Sequence, residues 1–435
     1  MDSNDSQHSR RRALAGLGAL AGSSLLPGAT HAAPASGDDD AGLSADPWSR
    51  ARAQLVLNPR LAYFDTAQFG PSTRAVLASI YRAEEALHTD PMAFYDERYS
   101  DQAVLKLCQR VGTWLDCSAD EVCFTGGALA GLAQVGQALT LQAGDEVLIN
   151  AQLPETAQRF WRLQAKQRGL VLKTVTLPLP LRNNEAVLAT FENAISDRSR
   201  VLVCSHLQHG DGAILPIREL CQLAKTRGLI SIVEGTLTLG ALQFSVRDLG
   251  CDVYAGSLCH WLNGPQQTGV LYVRDALQPT LQDELAIGAE PSLLRNLSGW
   301  PTLQRRWPVD FANLAPQFQS LPTALAWHEA FGRARVEARL RELQLYTRMR
   351  LQSIEGMELL TPGLPGMWLQ VLSLRPSRRS ATDLTEWLRN NDKVIVSGFR
   401  GTQDGMNVLR VSLHLYNTHD EIERLAQGLQ RALRV

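Results

Sequence analysis

Between residues 146 and 257 short apolar runs alternate with amphipathic stretches, and few architectures accommodate that rhythm. EVLIN (146–150), LVLKTVTL (170–177), RVLVCSHL (200–207), LISIVEG (229–235) and CDVYAGS (251–257) read as strands. They lack the polar alternation of half-exposed strands, which predicts burial on both faces. The spacing predicts helices over 155–168, 185–197 and 217–228. In the last of these, Ile217, Leu220, Cys221 and Ala224 follow the i, i+3, i+4, i+7 stripe. Alternating strands and helices with strands of this kind predict an α/β fold built on a parallel sheet. The C-terminal part changes character: a long helix over 321–354, a strand near 367–374, a helix over 381–391, a strand near 408–413 and a terminal helix from Thr418. That pattern predicts a smaller α+β domain.

Composition narrows the function. The chain has 435 residues, 45% hydrophobic and 20% charged, which excludes disordered, collagenous and coiled-coil classes. With 43 Lys+Arg against 44 Asp+Glu, no global basic field exists to release counterions from a nucleic acid, so DNA and RNA are not expected partners. Outside the N-terminus no apolar run approaches the ~18 residues a bilayer span requires, so no membrane association is expected after processing.

Residues 9–35, SRRRALAGLGALAGSSLLPGATHAAPA, place an arginine pair (Arg10–Arg11 or Arg11–Arg12) before a Gly/Ala-rich apolar run and small residues. The segment resembles a twin-arginine export signal over 1–35, with cleavage near Ala32 or Ala33 and a polar leader over 36–46, and implies a periplasmic protein exported already folded. Seven cysteines without a CxxC pair cannot all be bridged within one chain. Most read as small buried hydrophobes, and only Cys259, beside His260, stands where chemistry is expected.

The stretch from Ser205 to Arg274, with LAYFDTAQFGPSTRAV (61–76), FTGGALAGL (124–132) and LRVSLHLYNTHDEIERL (409–425), resembles the class V aminotransferases. These are fold-type I pyridoxal phosphate (PLP) enzymes that include isopenicillin N epimerase and cysteine desulfurases. The resemblance spans about residues 47–433. It implies a large domain over 91–315 with a mainly parallel seven-stranded sheet flanked by helices. A small domain is implied from 47–90 and 316–435, with PLP as cofactor and a dimer whose sites lie at the interface.

PLP chemistry needs a lysine amine for the imine, a carboxylate against the pyridine nitrogen, a helix N-terminus with hydroxyl donors for the phosphate, and a ring over the pyridine face. Where the family reads Ser-Gly-His-Lys-Trp, this chain reads Ser257-Leu258-Cys259-His260-Trp261, so His260 takes the lysine position. Val-Asp-Gly-Ala-Gln becomes Val233-Glu234-Gly235-Thr236-Leu237: the carboxylate is one methylene longer, and Leu237 stands for the ring-oxygen glutamine. The phosphate loop reads Thr125-Gly126-Gly127-Ala128-Leu129, with Leu129 in place of a hydroxyl. Leu153, in Gln152-Leu153-Pro154, stands where relatives carry a stacking tyrosine. Two family features remain. Arg410 matches the arginine that clamps a substrate α-carboxylate, with a local ion pair as its structural alternative. Thr268 matches a residue that reaches the neighbouring subunit's phosphate, with a turn-holding role as its alternative.

The anchor, a phosphate hydroxyl, the stacking ring and a ring hydrogen bond are all replaced, three of them by leucine. Each polar group left unpaired costs about 1–3 kcal/mol. The expectation is a pseudoenzyme with PLP lost or weakly held, existing as a homodimer or paired with a PLP-binding paralogue. Three alternatives stay open. The chain is an active aminotransferase or epimerase with non-covalent PLP, acting on an amino acid or peptide. It binds a small carboxylate on Arg410. Or it binds metal through His206 or His209, Glu234, Cys259 and His260, although their spacing carries no established zinc signature.

Overall fold

The computed structural model describes residues 46–282, 297–308, 311, 314–400 and 407–434. The export-signal segment and the leader up to residue 45 lie outside these residues. The described chain from Asp46 forms one compact unit. Its strands are β1 (Ala62–Tyr63), β2 (Val122–Thr125), β3 (Glu146–Asn150), β4 (Val171–Val175), β5 (Ser199–Ser205), β6 (Ile230–Glu234), β7 (Val253–Ser257) and β8 (Gly269–Val273). The C-terminal part adds β9 (Met357–Leu359), β10 (Val371–Pro376), β11 (Val394–Ile395), β12 (Ser397–Arg400) and β13 (Asn407–Ser412).

A seven-stranded sheet runs β2-β8-β7-β6-β5-β3-β4, parallel from β7 to β4, with β8 antiparallel to both its neighbours. This is the α/β fold the sequence predicts. Two apolar layers fill its faces, one around Leu148, Leu202, Val233 and Tyr254, the other around Val147, Val203, Ile232 and Ala255. Alternate residues of the same strands feed opposite layers, which is why these strands contain no polar phase. β4 departs from that expectation: it is the sheet edge, with Val171 exposed and Lys173 half-buried.

A four-stranded antiparallel sheet, β12-β13-β10-β9, carries the C-terminal elements. The N-terminal segment joins it: β1 pairs in parallel with β11, and the Ser412 amide donates to the Phe64 carbonyl. The continuous helix predicted over 321–354 is instead two helices, Ala315–Phe331 and Arg333–Leu351. They are separated by Gly332 at φ 81°, a left-handed conformation that breaks the helical ladder and that glycine adopts without a Cβ penalty. The strand near 367–374 begins four residues later than expected, at Val371, and the Met367 carbonyl accepts the Ile214 amide.

Candidate functional site

The chemistry-bearing residues sit where the parallel strands end, the usual location for ligand sites in open α/β sheets. Glu234 is the last residue of β6, Ser257 the last of β7, and His209 lies in the turn after β5. With Ala67, Gln68, Ala128, Leu129, Pro154, Thr236 and His260 they line an inner cavity of about 290 Å³. An outer cavity of about 480 Å³ shares Gln68 and Pro154 and is lined by Asp65, Leu153, Ser397, Phe399 and Arg410.

Glu234 is buried and both its oxygens are engaged. Oε2 accepts from His209 Nε2 at 2.9 Å, and Oε1 accepts the Thr236 amide at 2.9 Å. Burial raises the carboxyl pKa, but His209 and the Thr236 donors outweigh it, so Glu234 lies below the usual glutamate value and is ionised. His260 Nδ1 bonds the Thr66 carbonyl at 2.9 Å. A carbonyl only accepts, so Nδ1 carries the proton, and burial holds the imidazole below its usual pKa, neutral. Among the described residues nothing bonds His209 Nδ1 or His260 Nε2, and neither atom is sealed from solvent.

The helix Ala128–Ala138 starts at Gly127, whose φ of 133° excludes other side chains, and no residue of its own first turn caps it. The cap comes from across the sheet: the Ala128 amide donates to Ser257 Oγ at 3.0 Å. Leu129, 38% exposed, projects its isobutyl group into the cavity mouth beside that helix end.

Arg410 is buried with its Nη1 on the His209 carbonyl at 3.2 Å and its Nη2 4.0 Å from Asp65 Oδ1. Its Nε has no partner. Both alternatives for this arginine are therefore represented: a local acid and a face on the outer cavity. Burial raises the Asp65 carboxyl above its usual value against the opposing pull of Ser397 and Arg410.

Several sequence-predicted site residues lie elsewhere. Leu153 packs with Ile149, Ala157 and Trp161 and touches only the outer cavity, and Pro154 takes the inner-cavity wall instead. Leu237 packs with Trp261 and Leu415, and Thr236 faces the cavity in its place. His206 is buried against the Tyr254 hydroxyl at 3.0 Å, where burial pushes its pKa down to about 3. Cys259 is buried off the cavity, its thiol pushed up to about 11 by burial. His206 and Cys259 thus do not join His209, Glu234 and His260, and among the described residues no group of three or more His, Cys, Asp or Glu could hold a metal ion. Thr268 is buried, its hydroxyl donated to the Pro265 carbonyl at 2.7 Å within its own turn. The sequence contains five lysines, Lys106, Lys166, Lys173, Lys225 and Lys393, and none lines either cavity.

The sheet order and the cleft at its strand ends define the fold-type I architecture of PLP-dependent enzymes. Solved structures share it. The apo cysteine desulfurase of Thermococcus onnurineus matches with a TM-score of 0.74 at 19% identity, covering 88% of this chain and 98% of that one. A lysine-to-alanine mutant of C-DES with glycine covalently linked to its PLP matches with a TM-score of 0.76 at 18% identity, covering 87% and 98%. The aminotransferase class-V family model matches residues 66–425, and the chain belongs to that family. Among curated relatives, isopenicillin N epimerase of Amycolatopsis lactamdurans is 29% identical over 394 residues, covering 88% of this chain and 98% of the relative. A probable cysteine desulfurase of Vibrio cholerae is 27% identical over 408 residues, covering 88% and 96%.

Proposed function

We propose that this chain is a class V aminotransferase homologue that no longer performs imine chemistry and whose cleft binds a small carboxylate through Arg410. The observation that carries this is His260, which the sequence motif aligns with the family's lysine: its imidazole is neutral and fixed to the Thr66 carbonyl, with no lysine on either cavity wall. One lost lysine does not by itself remove the cofactor, since the C-DES mutant retains PLP with glycine attached. The rest of the inner cavity argues against the group as well. Glu234, the carboxylate a pyridine nitrogen would need, is already spent on His209 and the Thr236 amide. The Ala128 amide at the phosphate end is spent on Ser257. No lysine or arginine lines the inner cavity, so a phosphate dianion would be buried near the Glu234 carboxylate without a compensating cation. The residues present do not fit PLP.

The outer cavity supports the positive half of the proposal. Arg410 is the one arginine or lysine on either cavity wall among the described residues, held by the His209 carbonyl and with a guanidinium fork suited to a carboxylate. Calorimetric titration with succinate and with PLP tests it. Succinate is expected to bind the protein and to lose at least ~10-fold in affinity in Arg410→Gln, the scale of one charge-assisted contact. Tight PLP binding, unaffected by Arg410→Gln, would contradict the proposal.

The export reading of residues 1–35 belongs to the same proposal and is supported by the arginine run before an apolar, Ala-terminated stretch. Replacing Arg10, Arg11 and Arg12 by lysine is expected to retain the full-length precursor in the cytoplasm, scored by fractionation and immunoblot. A processed periplasmic product from that variant would overturn it.

A further inference from the structure

The inner cavity holds a set of acid–base groups that imine chemistry does not use. The Glu234 carboxylate is ionised and accepts only, so His209 donates Nε2–H to it, and Nδ1 is the ring nitrogen left for a ligand in the cavity that His209 lines. A buried carboxylate behind an imidazole fixes the tautomer and stabilises the imidazolium formed when the free nitrogen takes a proton. Opposite acceptors are donors. Ser257 Oγ accepts the Ala128 amide, and among the described residues no acceptor engages its hydroxyl hydrogen, whereas Thr236 Oγ1 accepts the Ser257 amide at 3.3 Å and gives its own hydrogen to Glu234. Both residues line the inner cavity. Arg410 is joined to this group, because its Nη1 holds the carbonyl of His209 itself.

We propose that Glu234 and His209 form a general-base dyad that, without a cofactor, withdraws a carbon-bound proton from a 2-oxo acid held by Arg410. The proposal rests on the carboxylate-binding cleft argued above. The substrate class follows from the chemistry of the groups. An imidazole base removes a carbon-bound proton only when a neighbouring carbonyl acidifies it. The guanidinium in the outer cavity favours an anionic end, and the inner cavity, with a buried carboxylate and no lysine or arginine on its wall, disfavours a second charged anion. A carboxylate beside a ketone satisfies each condition. His209 Nδ1 takes a proton from C3, the C3–H electron pair becomes the C2=C3 bond, and the carbonyl π pair moves to the C2 oxygen. That oxygen takes a hydrogen bond from the Ser257 hydroxyl on the cavity wall. Return of the proton from the His209 imidazolium to C3 closes the cycle with atoms and electrons balanced.

The test uses protein purified without added PLP, with 2-oxobutanoate as the probe in D2O. Proton NMR follows loss of the C3 methylene signal, and saturation transfer to the methyl group reports binding in the same tube. Exchange is expected at ~100-fold or more above protein-free buffer, the usual scale of a positioned base. His209→Gln keeps a donor for Glu234 but has no basic nitrogen: exchange should fall to the buffer rate while saturation transfer persists. Ser257→Ala should slow exchange by ~10-fold without abolishing it. Binding with exchange at the buffer rate would overturn the dyad and leave the carboxylate-binding cleft standing. Absence of both signals would overturn both, and exchange that survives His209→Gln would overturn the assignment of the base.

Discussion

Replacing His209 by alanine is expected to cost about 3 kcal/mol of stability at neutral pH, although its side chain is partly exposed and anchors no core cluster. The loss arises at Glu234. That carboxylate is buried at the end of β6 and ionised because His209 donates to Oε2 at 2.9 Å. Without the imidazole the charge keeps the Thr236 amide and hydroxyl and a long Ser205 contact of 3.4 Å, too little to offset its desolvation. The pH dependence has a definite sign. The folded-state pKa is depressed below the ordinary 4.5, so the stability from this pair is present above pH 4.5 and lost as pH falls through the folded value. In His209→Ala burial raises the Glu234 carboxyl instead, so the gap between wild type and variant should be widest near neutrality and close on acidification. Urea unfolding between neutral and acidic pH measures it, and a gap that stays constant would show that Glu234 is not the source.

Gly70→Ala is expected to be as damaging, at about 3 kcal/mol, for a steric reason. A Cβ on Gly70 would lie 1.9 Å from the Cys259 carbonyl oxygen, 2.4 Å from that of His260 and 2.6 Å from the His260 Cα. All three atoms are backbone, so no side chain can rotate away. The close approach holds the 65–70 segment against the turn after β7, and from it Gln68 reaches the cavity and the Thr66 carbonyl reaches His260. Gly363→Ala, where a Cβ meets nothing within 4 Å, should change stability by less than ~0.5 kcal/mol. Equal midpoints for the two variants would mean that the segment yields freely.

The parallel strands were legible because burial on both faces leaves an unbroken apolar run, and β3, β5, β6 and β7 fall within a residue or two of the predicted runs. β2 and β8 went unrecognised: VCFT is four residues long, and GVLYV follows the QQTG turn without a helix to set it apart. Gly332 carried the signal that would have divided the long helix. At the site the residue types were readable but their directions were not. Leu153 and Leu237 each sit one residue from the side chain that faces the inner cavity, and a turn's direction depends on backbone torsions rather than spacing. The sequence left His206 and His209 as equals. Only the fold separates them, sending His206 to Tyr254 in the core and His209 to Glu234 on the cavity wall.

The most direct test of the central claim is the absorbance of the purified protein between roughly 320 and 430 nm before and after addition of PLP, followed by borohydride reduction and peptide mass mapping. A neutral His260 and a Glu234 already committed to His209 predict no chromophore from the purified protein, no saturable band on titration and no reduced adduct. A reduced pyridoxyl adduct on any of the five lysines, or a tightly held chromophore that survives dialysis, would contradict it.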